Sequence, residues 1–257
     1  MIVEYFRPKN IAETLSLLSD TQFNTVLMGG GTAIDRYSTE PFAVVDLQDV
    51  GLSSIQVRGN VLEIGATATL QAFFEYPRIQ GALQSSIYHE ATQNLRQAAT
   101  VAGTLIAADG RSPFTTAIYA LDAALTIIPD EEQIPLGDLL ALGKKNFANR
   151  LITKITIPIN TQLAYEYVAR TPADLPIVCA AVAVWPSGRT RVVLGGYGEV
   201  PVLAMDGPGE GGAEVAGGDA YSHASDQWAT AAYRRDMAKV LVRRCLANLE
   251  ANSEPKD

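Results

Sequence analysis

Residues 26–35 read VLMGGGTAID, an apolar run that is followed by three consecutive glycines, Gly29 to Gly31, and a threonine. Each glycine loses more backbone freedom on folding than any other residue does, so a triple glycine indicates that bare backbone is needed there. The apolar run predicts a buried strand that ends at the glycines. Three explanations stay open for the glycines: a bound phosphate, a tight turn, or a close crossing of two chain segments.

A second stretch of small residues, ATVAGTLIAADG, occupies residues 99–110. It is followed by Ser112-Pro113, a pair typical of a helix N-cap and a proline at the first helical position. Backbone N–H groups that converge in a turn suit a phosphate, and two such loops could hold an extended dinucleotide. Neither loop carries the GxGxxG fingerprint or the lysine of a P-loop, so each is weak by itself.

Composition and charge exclude several classes of function. The chain has 257 residues and a net charge of −8, which argues against a nucleic-acid partner. We expect no secretion signal and no membrane span, and therefore a cytoplasmic protein. Its two cysteines, Cys179 and Cys245, lie far apart in apolar settings, which predicts buried thiols and no metal site.

Periodicity predicts an α/β half of about 150 residues, followed by an antiparallel sheet and a helix. Asn10 is expected to cap a helix over 11–20, and Gly59-Asn60 to form the turn of a hairpin. The glycine-rich segment 207–219 is expected to be a mobile loop. A final amphipathic helix is expected to be capped by Ser225 or Asp226. The predicted strands of the antiparallel meander are LITKITIPI, AYEYVAR, IVCAAVAV and TRVVLGG, which begin at residues 151, 164, 177 and 190.

In this order, the segments resemble the flavin-binding (medium) subunit of the molybdenum hydroxylases, the family of xanthine dehydrogenase and carbon monoxide dehydrogenase. The likeness runs from about residue 4 to residue 248. It rests on YFRPKNIAETLSLL, VLMGGGT, PFAVVDL, LEIGATATL, LRQAATVAGTLIAADGRSPFTTAIYALDAAL, LITKITIPI, YEYVARTPADLP and DQWATAAYRRDM.

The resemblance implies an α+β fold in two parts. Residues 1–150 would form an FAD-binding domain of the vanillyl-alcohol-oxidase-like type, in two α+β subdomains. Residues 151–257 would form an antiparallel sheet and helix domain like the C-terminal domain of the carbon monoxide dehydrogenase flavoprotein.

The implied function is electron transfer through bound FAD within a hetero-oligomer. A large molybdopterin-type subunit would transform the substrate, and a small subunit would carry two [2Fe–2S] clusters. The flavin would pass the electrons to an external acceptor, and this chain would hold no catalytic residue and no metal of its own.

The resemblance also implies which residues bind FAD. The first loop would cradle the pyrophosphate, and the second loop would contact the other end of the pyrophosphate and the ribityl chain. Asp109 would occupy the position where the family has aspartate or serine. Leu151 and Ile152 would pack against a ring of the cofactor. The full set is Leu27, Met28, Gly29, Gly30, Gly31, Thr32, Ala33, Ile34, Thr100, Gly103, Thr104, Asp109, Leu151 and Ile152.

The chain differs from the family pattern at five positions: Ala102, Thr104, Gly110, Pro113 and Glu166. The family usually has glycine, asparagine, proline, aspartate and lysine at these places. The differences leave a second interpretation open, in which a member of the family has kept the fold, has lost or altered its flavin site, and serves as a docking or assembly module.

Overall fold

The computed structural model describes residues 1–19, 24–34, 40–142 and 150–253. The chain packs into two compact units and crosses between them several times. The first unit comprises residues 1–76, 93–107 and 123–157, and the second comprises residues 77–92, 108–122 and 158–257. The predicted division into domains at residue 150 stays a prediction, because packing into units is a different criterion from a domain boundary along the chain.

A three-stranded parallel sheet opens the first unit. Its strands β1 (Ile2–Phe6), β2 (Asn24–Met28) and β3 (Phe42–Asp46) lie in the order β1-β3-β2. The central strand β3 is buried along its whole length, which explains its continuous apolar run. Helix α1 (Ile11–Ser19) is capped as predicted, because the Asn10 side chain accepts a hydrogen bond from the Glu13 N–H at 2.9 Å.

A five-stranded sheet forms the rest of the first unit, with strand order β4-β5-β8-β6-β7. The predicted hairpin is confirmed, since β4 pairs with β5 around Gly59, whose φ is +58°. Helices α2, α4, α5 and α7 belong to the same unit. The bounds are β4 (Ile55–Arg58), β5 (Val61–Gly65), β6 (Ala124–Ile128), β7 (Glu132–Pro135), β8 (Leu151–Pro158), α2 (Leu70–Phe74), α4 (Gln93–Ala98), α5 (Val101–Ala107) and α7 (Leu136–Leu142).

Strand β8 corrects the predicted meander. Its residues were expected to open the C-terminal antiparallel sheet, but β8 lies between β5 and β6 of the first unit. Alternation of apolar side chains identifies a strand without naming its neighbours, and here the neighbours lie far away along the chain.

The second unit is built on an antiparallel sheet with strand order β12-β11-β10-β9. Alternate side chains of the central strand β10 face opposite layers. Cys179 contacts α6 through Thr116, and Ala180 faces α9, whose Cys245 thiol reaches its carbonyl. The bounds are α3 (Gly81–Glu90), α6 (Pro113–Ala120), β9 (Gln162–Val168), β10 (Val178–Val184), β11 (Arg189–Gly195), β12 (Val202–Pro208), α8 (Ala213–Ala220) and α9 (Ala231–Ser253). The predicted α+β class, with antiparallel sheets and helices, is confirmed.

Two expectations for the C-terminal region were wrong. The segment 207–219 is not a loop, because it contains the end of β12 and most of α8. Its small residues serve packing: a Cβ on Gly217 would lie 3.0 Å from the Val242 side chain on α9. Helix α9 begins at Ala231, where the Thr230 hydroxyl accepts a hydrogen bond from the Tyr233 N–H. The cap was expected at Ser225 or Asp226.

Candidate functional site

The first glycine loop forms one wall of a cleft in the first unit. Strand β2 ends at Met28, and the loop continues along a cleft of about 550 Å³. Gly31 has a φ of +69°, so a left-handed turn occurs inside the triple glycine. The lining includes all eight predicted first-loop residues and two of the second loop, namely Leu27, Met28, Gly29, Gly30, Gly31, Thr32, Ala33, Ile34, Thr100 and Gly103.

The two glycine-containing loops cross in close contact. A Cβ on Gly30 would lie 1.6 Å from the carbonyl oxygen of Ala98, and a Cβ on Gly29 would lie 2.4 Å from the Thr100 hydroxyl. Neither distance is possible for a side chain. Of the three explanations for the glycines, the structure therefore shows two: a crossing at Gly29 and Gly30, and a turn at Gly31.

The second loop is held by backbone hydrogen bonds to the segment that follows β5. The Leu70 N–H donates to the Ala99 carbonyl, and the Val101 N–H donates to the Ala68 carbonyl, both at 2.8 Å. These bonds, with an isolated bridge between Thr69 and Thr100, tie the second loop to residues 68–70 of the same unit. A loop held in this way suits a binding surface made of backbone.

Helix α5 starts inside the second loop, and two threonines organise its first turn. The Thr100 hydroxyl accepts a hydrogen bond from the Gly103 N–H at 3.2 Å. The Thr104 hydroxyl donates to the Thr100 carbonyl at 2.9 Å. Thr104 is thus engaged within its own helix, and it is not among the residues that line the described cleft.

A smaller, mainly apolar cavity of about 250 Å³ lies beside the cleft in the same unit. Leu151 and Ile152, at the start of β8, line it, and their predicted contact with a ring of the cofactor stays a prediction. Gly29, Thr100 and Gly103 border both spaces, so the cleft and the cavity meet at the loop crossing.

Asp109 lies in the second unit, where its carboxylate accepts a hydrogen bond from the Arg111 N–H at 2.8 Å. The adjacent Gly110 donates its N–H to the Gly198 carbonyl at 3.0 Å, and a Cβ on Gly110 would lie 2.1 Å from the Tyr197 carbonyl oxygen. The turn around Asp109 is therefore fixed by backbone contacts within its own unit.

Two further departures from the family pattern have local partners. Pro113 occupies the first turn of α6, and the Ser112 hydroxyl accepts from the Thr115 N–H at 3.1 Å, as predicted for an N-cap. Glu166 on β9 accepts a hydrogen bond from the Asn248 side chain on α9 at 2.9 Å.

The sequence predicts no catalytic residue and no metal site in this chain. The described residues contain no cluster of three or more His, Cys, Asp and Glu side chains that could hold a metal ion. Both cysteines are buried free thiols, as predicted. Desolvation raises the pKa of Cys179 to about 12 and also raises the pKa of Cys245, so both thiols stay protonated at neutral pH. No described helix is long and apolar enough to cross a membrane.

Comparison with models of protein families identifies the family of the chain. The model of the FAD binding domain in molybdopterin dehydrogenase matches residues 1–160, more than half of the chain. The chain belongs to this family. The resemblance stated from the sequence is thereby confirmed, and FAD is the cofactor of the family.

Relatives extend over the whole chain. The uncharacterized protein YgfM of Escherichia coli K12 is 28% identical, and the match covers 99% of each chain. The carbon monoxide dehydrogenase medium chain of Afipia carboxidovorans is 26% identical, with 98% of each covered. A crystal structure of the Cu,Mo-CO dehydrogenase shares the fold with a TM-score of 0.82 at 24% identity, covering 98% of this chain and 99% of that one.

The residues of the cleft fit the flavin nucleotide of the FAD-binding family. Among the described residues, no acceptor takes a hydrogen bond from the N–H groups of Gly29, Gly30 or Gly31, although the chain is tightly packed there. Unpaired N–H groups on a turn without side chains of its own form the kind of surface that binds a pyrophosphate. Sequence reasoning missed other lining residues, notably Ile106, Ala107 and Phe42, because helix and strand periodicity marks such apolar side chains only as core.

Proposed function

We propose that this chain is the FAD-carrying electron-transfer subunit of a multi-subunit molybdopterin-dependent oxidoreductase. It would receive electrons from iron–sulfur clusters on a partner chain and deliver them to an external acceptor. The observation that carries the proposal is the loop crossing at Gly29, Gly30 and Thr100, which leaves bare backbone along a cleft in a family defined by FAD binding.

The division of chemistry follows from the residues of the chain. When bound, FAD supplies the redox chemistry, and the protein supplies position and exclusion of water. The first-loop N–H groups would hold the pyrophosphate, and the cavity at Leu151 and Ile152 would enclose a ring in apolar surroundings. With two cysteines, the chain falls short of the four thiolates that an ordinary [2Fe–2S] cluster requires, so the clusters would reside on another chain.

The proposed partners are a large molybdopterin-type subunit and a small [2Fe–2S] subunit in a hetero-oligomer. Two observations support them. The matched protein of Afipia carboxidovorans is called a medium chain, and this chain and that one cover each other almost completely. A chain of the same extent would take the same place in an assembly.

A tagged copy of the full chain, purified from its native host, tests the proposal. The preparation is analysed for flavin, molybdenum and iron, and for chains that co-purify. We expect stoichiometric FAD together with molybdenum, iron and two further chains. Molybdenum and iron without flavin would overturn the proposal in favour of a docking module, and flavin without metals or partners would indicate a stand-alone flavoprotein.

A further inference from the structure

A buried hydroxyl without a partner lies beside the loop crossing. Thr67 follows strand β5, and 7% of the residue is exposed. Its Oγ1 is inaccessible to solvent and makes no hydrogen bond with any described residue, although its backbone N–H donates to the Leu52 carbonyl at 2.9 Å. A buried hydroxyl that lacks a partner is costly for a fold, so one that persists calls for a physical explanation.

The position of Thr67 supplies such an explanation. The residue lines the apolar cavity that also contains Leu151 and Ile152. It also lines a second space of about 270 Å³, together with Gly29, Gly30 and Thr100. Thr67 thus borders two cavities that both touch the crossing of the loops.

We propose that Thr67 is a further FAD-binding residue, whose hydroxyl donates a hydrogen bond to an oxygen of the bound cofactor. The inference rests on the proposed FAD site and deepens it. A fixed hydroxyl beside a mainly apolar cavity would orient a ligand, because the wrong orientation leaves that hydroxyl unpaired. Among the described residues Thr67 Oγ1 has no hydrogen-bond partner, and in this role the cofactor would supply one.

The chain contains a matched control for this inference. Thr161, in the second unit, is 2% exposed and also has a buried Oγ1 without a hydrogen bond. It does not line the cleft or either of the two cavities described above. Replacement of either threonine by valine removes a buried hydroxyl and preserves the shape of the side chain, but only Thr67 lines the proposed site.

The test is a titration of the apoprotein with FAD, followed by fluorescence, for wild type, Thr67→Val, Thr67→Ser and Thr161→Val. We expect the Kd for FAD to rise about tenfold in Thr67→Val, as for the loss of one good hydrogen bond. Thr67→Ser retains the hydroxyl and should bind nearly as well as wild type, and Thr161→Val should bind as wild type does. Thermal unfolding of the apoproteins should show both valine variants at least as stable as wild type.

Two outcomes would overturn the inference, and they are distinguishable. Equal FAD affinity of wild type and Thr67→Val would show that the hydroxyl does not meet the cofactor, and the proposed function would stand. Failure of the wild-type protein itself to bind FAD would contradict both the inference about Thr67 and the proposed function. If Thr67→Val does not fold, Thr67→Ala with Thr161→Ala gives the same comparison.

Discussion

Replacement of Gly30 by alanine should separate the two loops that form the cleft. The added Cβ would lie 1.6 Å from the Ala98 carbonyl oxygen, and real Cβ contacts essentially never fall below 3.0 Å. One of the two loops must therefore move by at least 1.4 Å, the difference between these two distances. The atom in the way belongs to the backbone at the end of α4, which cannot rotate aside as a side chain can. Overpacking of this kind costs about 3 kcal/mol, the upper end of the usual range.

The effect of Gly30→Ala is measurable in two ways, as a loss of stability and as a loss of affinity for FAD. A decrease of about 3 kcal/mol lowers the Tm of a chain of this size by roughly 6–12 °C. Because the first-loop N–H groups shift with the backbone, the Kd for FAD should also rise at least about tenfold. Gly81→Ala is the control, since a Cβ there meets nothing within 4 Å at the start of α3, and it should leave both quantities nearly unchanged. A Gly30→Ala protein with the Tm and FAD affinity of wild type would refute the crossing as the reason for the glycines.

Three further predictions concern side chains of the second unit. Desolvation raises the pKa of Glu90 above its ordinary value of 4.5, so the native state keeps a proton that the unfolded chain loses. The free energy of unfolding should therefore fall as pH rises above about 4.5, and Glu90→Gln should flatten that slope in urea titrations. An unchanged slope in the variant would contradict the raised pKa of Glu90. Cys179 and Cys245 should not react with a thiol reagent at about pH 8 until urea is added, and rapid labelling of the native protein would contradict their burial. Arg234→Met should lower the free energy of unfolding by about 3 kcal/mol, because Arg234 is fully buried in an ion pair. Arg243→Met, at an exposed ion pair, should lower it by less than about 1 kcal/mol. Equal losses in the two variants would be inconsistent with the burial of Arg234.

Local signals in the sequence were sufficient for several elements. Gly59-Asn60 between two alternating segments predicted the hairpin, and Ser112 before a proline predicted the start of α6. Each of these features depends on a few neighbouring residues, so no knowledge of the rest of the fold was needed.

Elements that depend on distant partners were not predictable in the same way. Asp226 has the chemistry of a helix cap, but both of its carboxylate oxygens accept hydrogen bonds from the buried Arg234 at 2.7 Å. The helix consequently begins later, at a cap supplied by Thr230. The composition of α8 suggested a mobile loop, because glycine lowers helix propensity, but its glycines permit close contact with α9.

The candidate site shows the same limit. The sequence located both loops, but it could not distinguish a phosphate, a turn and a crossing as the reason for three glycines. The choice depends on the position of Ala98, which lies far away along the chain. Thr67 gave no signal at all, because a threonine after a strand is common and the absence of a hydrogen-bond partner is visible only in three dimensions.

The departures from the family pattern can be weighed by what each residue does in the fold. Gly110 stands where the family has proline, and its N–H is used by the Gly198 carbonyl while Tyr197 leaves no room for a Cβ. A proline there would lose the bond and meet the same backbone. This difference is therefore an adaptation of the turn to the second unit.

The same reasoning applies to the two departures in the second loop. Thr104 replaces an amide with a hydroxyl that bonds to its own helix, and Ala102 adds one methyl group to the wall of the apolar cavity. Neither change fills the crossing, where Gly29, Gly30 and Gly103 remain without side chains. Among the described residues, neither the N–H groups of Gly29, Gly30 and Gly31 nor the buried Thr67 hydroxyl has a partner, which is unfavourable unless a ligand supplies one. These features support the proposal of a retained flavin site over the alternative of a docking module.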